Sequence, residues 1–188
     1  MAERNFTVTG IDPSVNALAQ ARAESAKRSL PVAAPTFVAG SADLLRFESG
    51  SVDAVIMADV LEHIGDLPAV VAEVARVLKP RGVFLFDTIN RTRWSWLLTI
   101  FALQHLGVGG ICPPNTHDWS LYIRPDELRF LLERNGLSLG ELRGLQISVT
   151  PQLAWTVVRG GNIEPHQFTI GDDISANYIG FAVKSSVL

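Results

Sequence analysis

SVDAVIMADVLEHI, residues Ser51 to Ile64, carries the strongest structural signal in the sequence. Val52 to Met57 is a short, almost wholly apolar run, which is typical of a strand buried on both faces of a parallel sheet. Asp59, Glu62 and His63 follow it, and in a helix positions i, i+3 and i+4 share one face. These side chains would then point together beyond the carboxyl end of a strand, where open α/β sheets bind ligands. The alternative is a solvated first helical turn, in which the helix dipole favours acids, and the spacing alone does not decide between the two.

The composition indicates one globular domain. Of 188 residues, 47% are hydrophobic and 19% are charged, and this length is sufficient for one domain with a core. The net charge of −3 argues against a general nucleic-acid binder. The single cysteine, Cys112, excludes an internal disulfide and fits a reducing compartment.

Strand patterns alternate with helix patterns along most of the chain. Short apolar runs predict strands at Phe6–Ile11, Thr36–Ala39, Asp53–Met57, Val83–Ile89, Leu137–Leu142 and Tyr178–Lys184. Helical spacing and capping residues predict helices at Ser14–Ser29, Leu67–Leu78 and Arg124–Gly136. This alternation predicts βαβ units in a mostly parallel sheet flanked by helices. The sequence from Gln146 to Asp173 has no clear pattern.

Two acids follow the first two strands. Asp12 ends the first apolar run, and a carboxylate there can accept both hydroxyls of a ribose, although a plain helix N-cap worth ~1 kcal/mol explains it as well. Asp43 follows the next strand and can accept a hydrogen bond from an adenine amino group, or it is only a loop acid. With Asp59, these acids are predicted to lie near the carboxyl edge of one sheet.

The order of the motifs resembles the class I S-adenosylmethionine-dependent methyltransferases. Three segments carry the likeness: VTGIDPS at 8–14, GSADLLRFESGSVDAVIMADVLEHI at 40–64 and VLKPRGVFLFDTINR at 77–91. Within that class, four shorter motifs resemble the ubiquinone-biosynthesis O-methyltransferases: Asp-x-x-Glu-His at 59–63, Asn90-Arg91, Thr116-His117-Asp118 and Ala176-Asn177-Tyr178. That family methylates a ring hydroxyl of a polyprenylated catechol, and the likeness runs from Met1 to Lys184.

The resemblance implies a Rossmann-like sheet flanked by helices, with the last strand antiparallel, in a single methyltransferase-like domain over residues 1–188. It also implies the site residues. S-adenosylmethionine is expected at Asp12, Asp43 and Ala58. A cation, Mg²⁺ or else Mn²⁺ or Zn²⁺, is expected at Asp59, Glu62 and His63. The catalytic residues are expected to be His117 and His63. His117 would complete the metal site or take the phenol proton, and the alternative is a loop histidine bonded to the backbone.

One feature of the family is absent from the sequence. No glycine-rich loop precedes Phe6, so we expect the domain to be N-terminally incomplete, lacking the first strand and glycine loop, and to bind S-adenosylmethionine weakly. A shortened, inactive methyltransferase-like binding or scaffold subunit is therefore the alternative function. A small-RNA 2′-O-methyltransferase is a third hypothesis, which the acidic balance disfavours.

An apolar insertion spans residues 92–118. Trp94 to Ile111, WSWLLTIFALQHLGVGGI, contains no Lys, Arg, Asp or Glu and follows Arg91 and Arg93. It is too short and interrupted for a confident transmembrane span and suits a helix at a membrane interface. A cover over the substrate cleft and a core helix are the alternatives. The resemblance implies a lipid-tailed phenolic substrate, a quinone-biosynthesis protein complex and no nucleic acid. It implies a location in the cytoplasm or the mitochondrial matrix, peripheral on the inner membrane.

Overall fold

The computed structural model describes residues 6–28, 34–105, 115–147, 155 and 168–186. The chain divides into two compact units, Met1–Glu48 and Ser49–Leu188. The prediction of a single domain over residues 1–188 stays a prediction.

The N-terminal unit contains a βαβ arrangement. Strand β1 (Thr9–Asp12), helix α1 (Val15–Ala26) and strand β2 (Thr36–Ala39) follow one another, and β1 and β2 pair in parallel with Asp12 opposite Ala39. The Ser14 hydroxyl caps α1 by accepting a hydrogen bond from the Ala17 amide at 3.2 Å. The predicted strand–helix–strand order is thus confirmed. Helix α1 is shorter than predicted at both ends, and β1 starts at Thr9 instead of Phe6 and ends one residue later than predicted.

The C-terminal unit contains the remaining elements of the described chain. Its strands are β3 (Val52–Met57), β4 (Leu78–Ile89), β5 (Leu137–Ile147), β6 (Phe168–Gly171) and β7 (Asn177–Lys184). Its α-helices are α2 (Leu67–Val77), α3 (Arg93–Ser95) and α4 (Pro125–Arg134). A π-helix, Trp96–His105, continues α3, and Leu61–His63 and Trp119–Leu121 are single 3₁₀ turns.

The sheet of this unit is mixed, with strand order β3-β4-β7-β5-β6. β3 and β4 are parallel, whereas β7 is antiparallel to both β4 and β5, and β6 is antiparallel to β5. The antiparallel setting of the last strand is confirmed. The prediction of a mostly parallel sheet is wrong for this unit, because β7 and β6 run opposite to β3, β4 and β5, so of the described strand pairs only β3–β4 is parallel.

The helices α2 and α4 pack by their apolar faces. Val70, Val71, Val74 and Val77 of α2 are buried, as are Leu128 and Leu132 of α4, and Phe84, Phe86, Tyr178 and Ala182 of the sheet are buried with them. Burial of each large apolar side chain stabilises the fold by about 1.5–3 kcal/mol, so this layer accounts for much of the stability of the unit.

The start of β4 differs from the prediction. The sequence predicts that a helix ends at Leu78 and that the strand starts at Val83, but β4 already starts at Leu78. Residues Lys79–Gly82 form a bulge in it, since the register with β3 shifts between Val52 and Ala54. A Cβ on Gly82 would lie 2.8 Å from the Lys79 carbonyl oxygen, so the bulge requires glycine there. The prediction that β3 is buried on both faces is also wrong. Only Met57 of β3 is buried and Ile56 is 47% exposed, because β3 is the end strand of this sheet.

Candidate active site

The site is built on the turn that follows β3. The sequence predicts that a helix starts at Asp59, but the chain makes a turn there and becomes 3₁₀-helical only at Leu61–His63. Asp59 adopts a left-handed conformation with φ of 51°, which non-glycine residues adopt infrequently. Its backbone amide donates a hydrogen bond of 2.8 Å to Oδ1 of Asp87, which holds the turn. As a result Glu62 is buried and His63 is exposed, so the shared helix face of the sequence-based hypothesis does not form.

Three carboxylates converge beyond the ends of β3 and β4. One oxygen from each of Asp59, Glu62 and Asp87 lies within 4.8 Å of the others. The parallel register sets Met57 opposite Phe86, so Asp87 on β4 lies beside the turn that carries Asp59. Sequence reasoning missed Asp87. The signal was present, because neighbouring parallel strands end at the same edge of a sheet and Asp87 lies near the end of an apolar run.

Burial and like charge raise the proton affinity of this carboxylate cluster. Burial chiefly, and then the anions of Asp59 and Asp87, raise the pKa of Glu62 to about 7, although its backbone hydrogen bond opposes them. The Thr88 hydroxyl donates to Glu62 at 3.3 Å and also opposes the rise. Burial, and then Asp59, raise the pKa of Asp87, against the hydrogen bond from the Asp59 amide. Either a proton or a cation therefore stabilises the cluster.

The carboxylate cluster has the donor atoms of a hard divalent cation site. Three carboxylates suit Mg²⁺ or Mn²⁺. Two of the predicted ligands, Asp59 and Glu62, belong to this cluster, whereas the third, His63, does not. Among the described residues, Asp87 is the third member of the cluster. The role of the predicted ligand set in binding a metal stays a prediction.

Two imidazoles stack beside the carboxylates. The rings of His63 and His117 lie 5.5 Å apart between centroids, at an interplanar angle of 18°. The Tyr122 and His117 rings lie in a T-shaped arrangement, with centroids 6.2 Å apart. Burial chiefly, and then His63, lower the pKa of His117, while the negative charge of Asp59 opposes them. His117 is therefore neutral near pH 7 and can accept a proton.

The predicted cofactor residues lie in both units. Asp12 and Asp43 belong to the N-terminal unit and Ala58 to the C-terminal unit. The Asp12 carboxylate accepts a hydrogen bond of 2.7 Å from the Ser14 amide, a local turn contact before α1, whereas the N-cap of α1 is Ser14 and not Asp12. Asp43 is exposed in the turn after β2, and Ala58 is exposed directly after β3. Their joint role in holding S-adenosylmethionine stays a prediction.

Motif residues near the site tie its loops together. The buried Asn90 donates to the Ile174 carbonyl at 2.8 Å, and Arg91 forms an ion pair with Glu127. The Tyr178 hydroxyl donates to the Ile123 carbonyl at 3.0 Å. These contacts join the residues directly after β4 to the loop before β7 and to α4, and join β7 to the residues before α4, so these three motif residues hold the frame around the site.

The apolar insertion presents an exposed aromatic surface. Trp94, Trp96, Leu97 and Phe101 are each more than two fifths exposed. We call these four residues the apolar surface. Arg93, Trp96, Leu97 and Trp119 line a groove of about 470 Å³ beside it. The part of the insertion at 106–114 lies outside the described residues. Within the residues that the structure describes, none of the helices has the length and apolar character needed to cross a bilayer.

Comparisons with known proteins agree with this architecture. The family described as a methyltransferase domain matches residues 1–86. The ubiquinone biosynthesis O-methyltransferase of Hahella chejuensis is 33% identical over 184 residues, which are 98% of this chain and 70% of the relative. The corresponding protein of Paramagnetospirillum magneticum is 28% identical, over 98% of this chain and 66% of its own length. The chain thus spans about two thirds of the length of these curated relatives.

Solved structures share the fold at lower identity. An S-adenosylmethionine-dependent methyltransferase from Methanosarcina mazei superposes with a TM-score of 0.62 at 19% identity, over 98% of this chain and 84% of that one. The magnesium protoporphyrin IX methyltransferase of Synechocystis, solved with bound SAH, gives 0.62 at 20% identity, over 98% and 67%. The chain belongs to the class I S-adenosylmethionine-dependent methyltransferases, in the family of the ubiquinone biosynthesis O-methyltransferases.

Proposed function

We propose that the chain transfers the methyl group of S-adenosylmethionine to a phenolic oxygen of a polyprenyl catechol, or of a similar phenol, in ubiquinone biosynthesis. The observation that carries this proposal is the neutral imidazole of His117, stacked on His63 beside the carboxylate cluster. A phenol is a weak nucleophile until it loses its proton, and this group can take that proton. The names of the curated relatives support the substrate class.

In this mechanism His117 acts as the general base. Its neutral form accepts the phenol proton, and the negative charge of Asp59 stabilises the imidazolium that results. His63 stacks on the ring and restricts its orientation. S-adenosylmethionine supplies the methyl group, and Asp12, Asp43 and Ala58 are proposed to hold its adenosine part.

The carboxylates of Asp59, Glu62 and Asp87 fit a divalent cation, because their crowded negative charge is relieved by one. Such a cation would lower the pKa of a phenol hydroxyl and orient the ring. The predicted ligand His63 adjoins this group in sequence, and its place in the set is part of the proposal.

The lipid tail of the substrate is proposed to lie along the groove of Arg93, Trp96, Leu97 and Trp119. The neighbouring apolar surface, with Arg91 and Arg93 near it, suits peripheral contact with an anionic membrane. A location on the inner membrane, in a complex of quinone-biosynthesis proteins, is part of the same proposal. Covering a bound lipid tail is the alternative role for this surface.

Transfer of a labelled methyl group tests the proposal. The acceptor is a catechol with a polyprenyl tail, and the matched control acceptor carries the same tail with both phenolic oxygens already methylated. Because the sequence predicts weak cofactor binding, S-adenosylmethionine is supplied over a series that extends to millimolar concentrations. The expected product carries one new methyl group on oxygen. Absence of transfer at every concentration would favour the alternative of a binding or scaffold subunit.

A further inference from the structure

Gln104 contacts His117 through both halves of its side-chain amide. The His117 backbone N–H donates to Oε1 of Gln104 at 2.9 Å, and Nε2 of Gln104 reaches the His117 carbonyl oxygen at 3.4 Å. Gln104 is only 8% exposed. The buried amide of Gln104 thus makes two hydrogen bonds to the backbone of one residue. Two such bonds restrict both the position and the orientation of that residue.

The segment that carries Gln104 has two different faces. Ile100 and Gln104 are its buried residues, whereas Trp96, Leu97 and Phe101 are exposed and belong to the apolar surface. The rings of Trp96 and Phe101 stack on the outer face with centroids 6.0 Å apart. One short π-helix therefore joins the apolar surface to the loop that carries the proposed base.

A second contact from the same segment reaches the same imidazole. The hydroxyls of Thr99 and Tyr122 are 2.7 Å apart and hydrogen-bonded, and the Tyr122 and His117 rings form the T-shaped pair described above. Thr99 also donates to the Ser95 carbonyl at 2.7 Å, which ties the contact to the first turn of the segment. The π-helix thus contacts the backbone of His117 through Gln104, and it contacts the His117 ring indirectly through Thr99 and Tyr122.

We propose that Gln104 is a positioning residue, whose two hydrogen bonds to the His117 backbone set the stack of that imidazole on His63 and make it depend on the π-helical segment. The consequence for catalysis rests on the proposed function, since it takes His117 as the base. The effect of Gln104 on the ring stack does not depend on the proposed function, because the stack is a contact between two side chains of the chain itself. No sequence pattern indicates this link, because a glutamine in an apolar run carries no recognisable motif.

The test compares Gln104→Leu with Gln104→Glu. Leucine has a similar volume and removes both hydrogen bonds, whereas glutamate keeps the acceptor for the 2.9 Å bond. The ring resonances of labelled histidines, assigned with His63→Gln and His117→Gln, report the stack without any ligand. We expect Gln104→Leu to shift the resonances of both His63 and His117, and to lower kcat about tenfold or more while KM for S-adenosylmethionine stays unchanged. Gln104→Glu is expected to lie closer to the wild type in both measurements.

Asn135→Leu is the matched control, because Asn135 also donates its side-chain amide to a backbone carbonyl, that of Leu131 at 2.8 Å, at the C-terminal end of helix α4. It is expected to lower stability and to leave the two histidine resonances and kcat unchanged. Unchanged resonances in Gln104→Leu, or equal shifts in Asn135→Leu, would overturn the inference. If Gln104→Leu does not fold, Gln104→Met, which also lacks the side-chain amide, decides by the same resonances. If the wild type transfers no methyl group, the proposed function fails and the resonances still decide the role of Gln104.

Discussion

Glu62 gives the site a measurable dependence on pH. Below pH 4.5 its carboxyl is protonated in both the folded and the unfolded chain, so it makes no difference to folding. Between pH 4.5 and about 7 the unfolded chain releases this proton while the folded chain keeps it, so the free energy of unfolding falls as the pH rises. Above this range the free energy of unfolding is lower by about 3 kcal/mol than below pH 4.5. We expect Glu62→Gln to lack this fall, which urea unfolding across the pH range would measure.

The same variant tests the cation. At alkaline pH, Mg²⁺ or Mn²⁺ is expected to raise the unfolding midpoint of the wild type by binding the ionised carboxylates, and a chelator should reverse the rise. Glu62→Gln should show a much smaller rise, while Glu141→Gln, which removes an exposed carboxylate outside the cluster, should respond as the wild type does. An equal rise in all three proteins would mean that the cation binds elsewhere.

His117 is expected to control the reaction as a base. His117→Ala should lower kcat by about 10²–10⁴-fold, and added imidazole should restore part of the rate. In the wild type, kcat/KM should rise with pH through a pKa below the ordinary histidine value of 6.5, because burial and His63 favour the neutral ring. Initial rates across a pH series measure both effects. Retention of this pH limb in the alanine variant would assign the base to another group.

The sequence predicts only part of this residue set. Asp59, Glu62 and His63 are close in the chain, so a motif can reveal them. Asp87 is 28 residues from Asp59, and its hydrogen bond to the Asp59 amide depends on the register between β3 and β4. The left-handed turn at Asp59 is equally non-local in origin, since a side chain on another strand holds it. The spacing of residues in the sequence therefore indicates which chemical groups the site contains, but it does not predict how their side chains are arranged.

At the scale of elements, the apolar surface carries the clearest prediction. Trp96→Glu combined with Leu97→Glu is expected to reduce co-sedimentation with anionic liposomes several-fold, because it puts two charges on the face proposed to meet the lipid. Phe130→Glu is the control, since Phe130 is an equally exposed aromatic residue on α4. If the wild type never sediments with these liposomes, the membrane contact fails and the cover over a lipid tail remains.

Local patterns predict the helices and strands unevenly. The sequence predicts both ends of α2 and α4 to within a residue or two. For α2 the signal is its apolar spacing, and for α4 it is the Arg124-Pro125 start and the final Gly136. The bulge at the start of β4 and the pairing of β5 with β6 have no such local signal, because each depends on a partner strand distant in sequence. The π-helix likewise replaces an expected α-helix in a segment whose apolar residues suit either.

At the scale of the whole molecule, the family and the fold class follow from the sequence better than the topology does. Ordered motifs indicate a class I methyltransferase, and relatives and solved structures confirm it. The mixed direction of the sheet in the C-terminal unit could be predicted only from the family, since antiparallel β7 lies between β4 and β5 although it comes last in the chain. Hydrophobic patterns reveal strands without revealing their neighbours.

The acceptor phenol is proposed to bind between the carboxylate cluster and the stacked imidazoles of His63 and His117. Anomalous diffraction from crystals grown with Mn²⁺ and a catechol tests it most directly. We expect an anomalous peak among the carboxylates of Asp59, Glu62 and Asp87, with a catechol oxygen within hydrogen-bonding distance of the His117 ring. A peak away from these carboxylates, or a catechol bound away from His117, would contradict it.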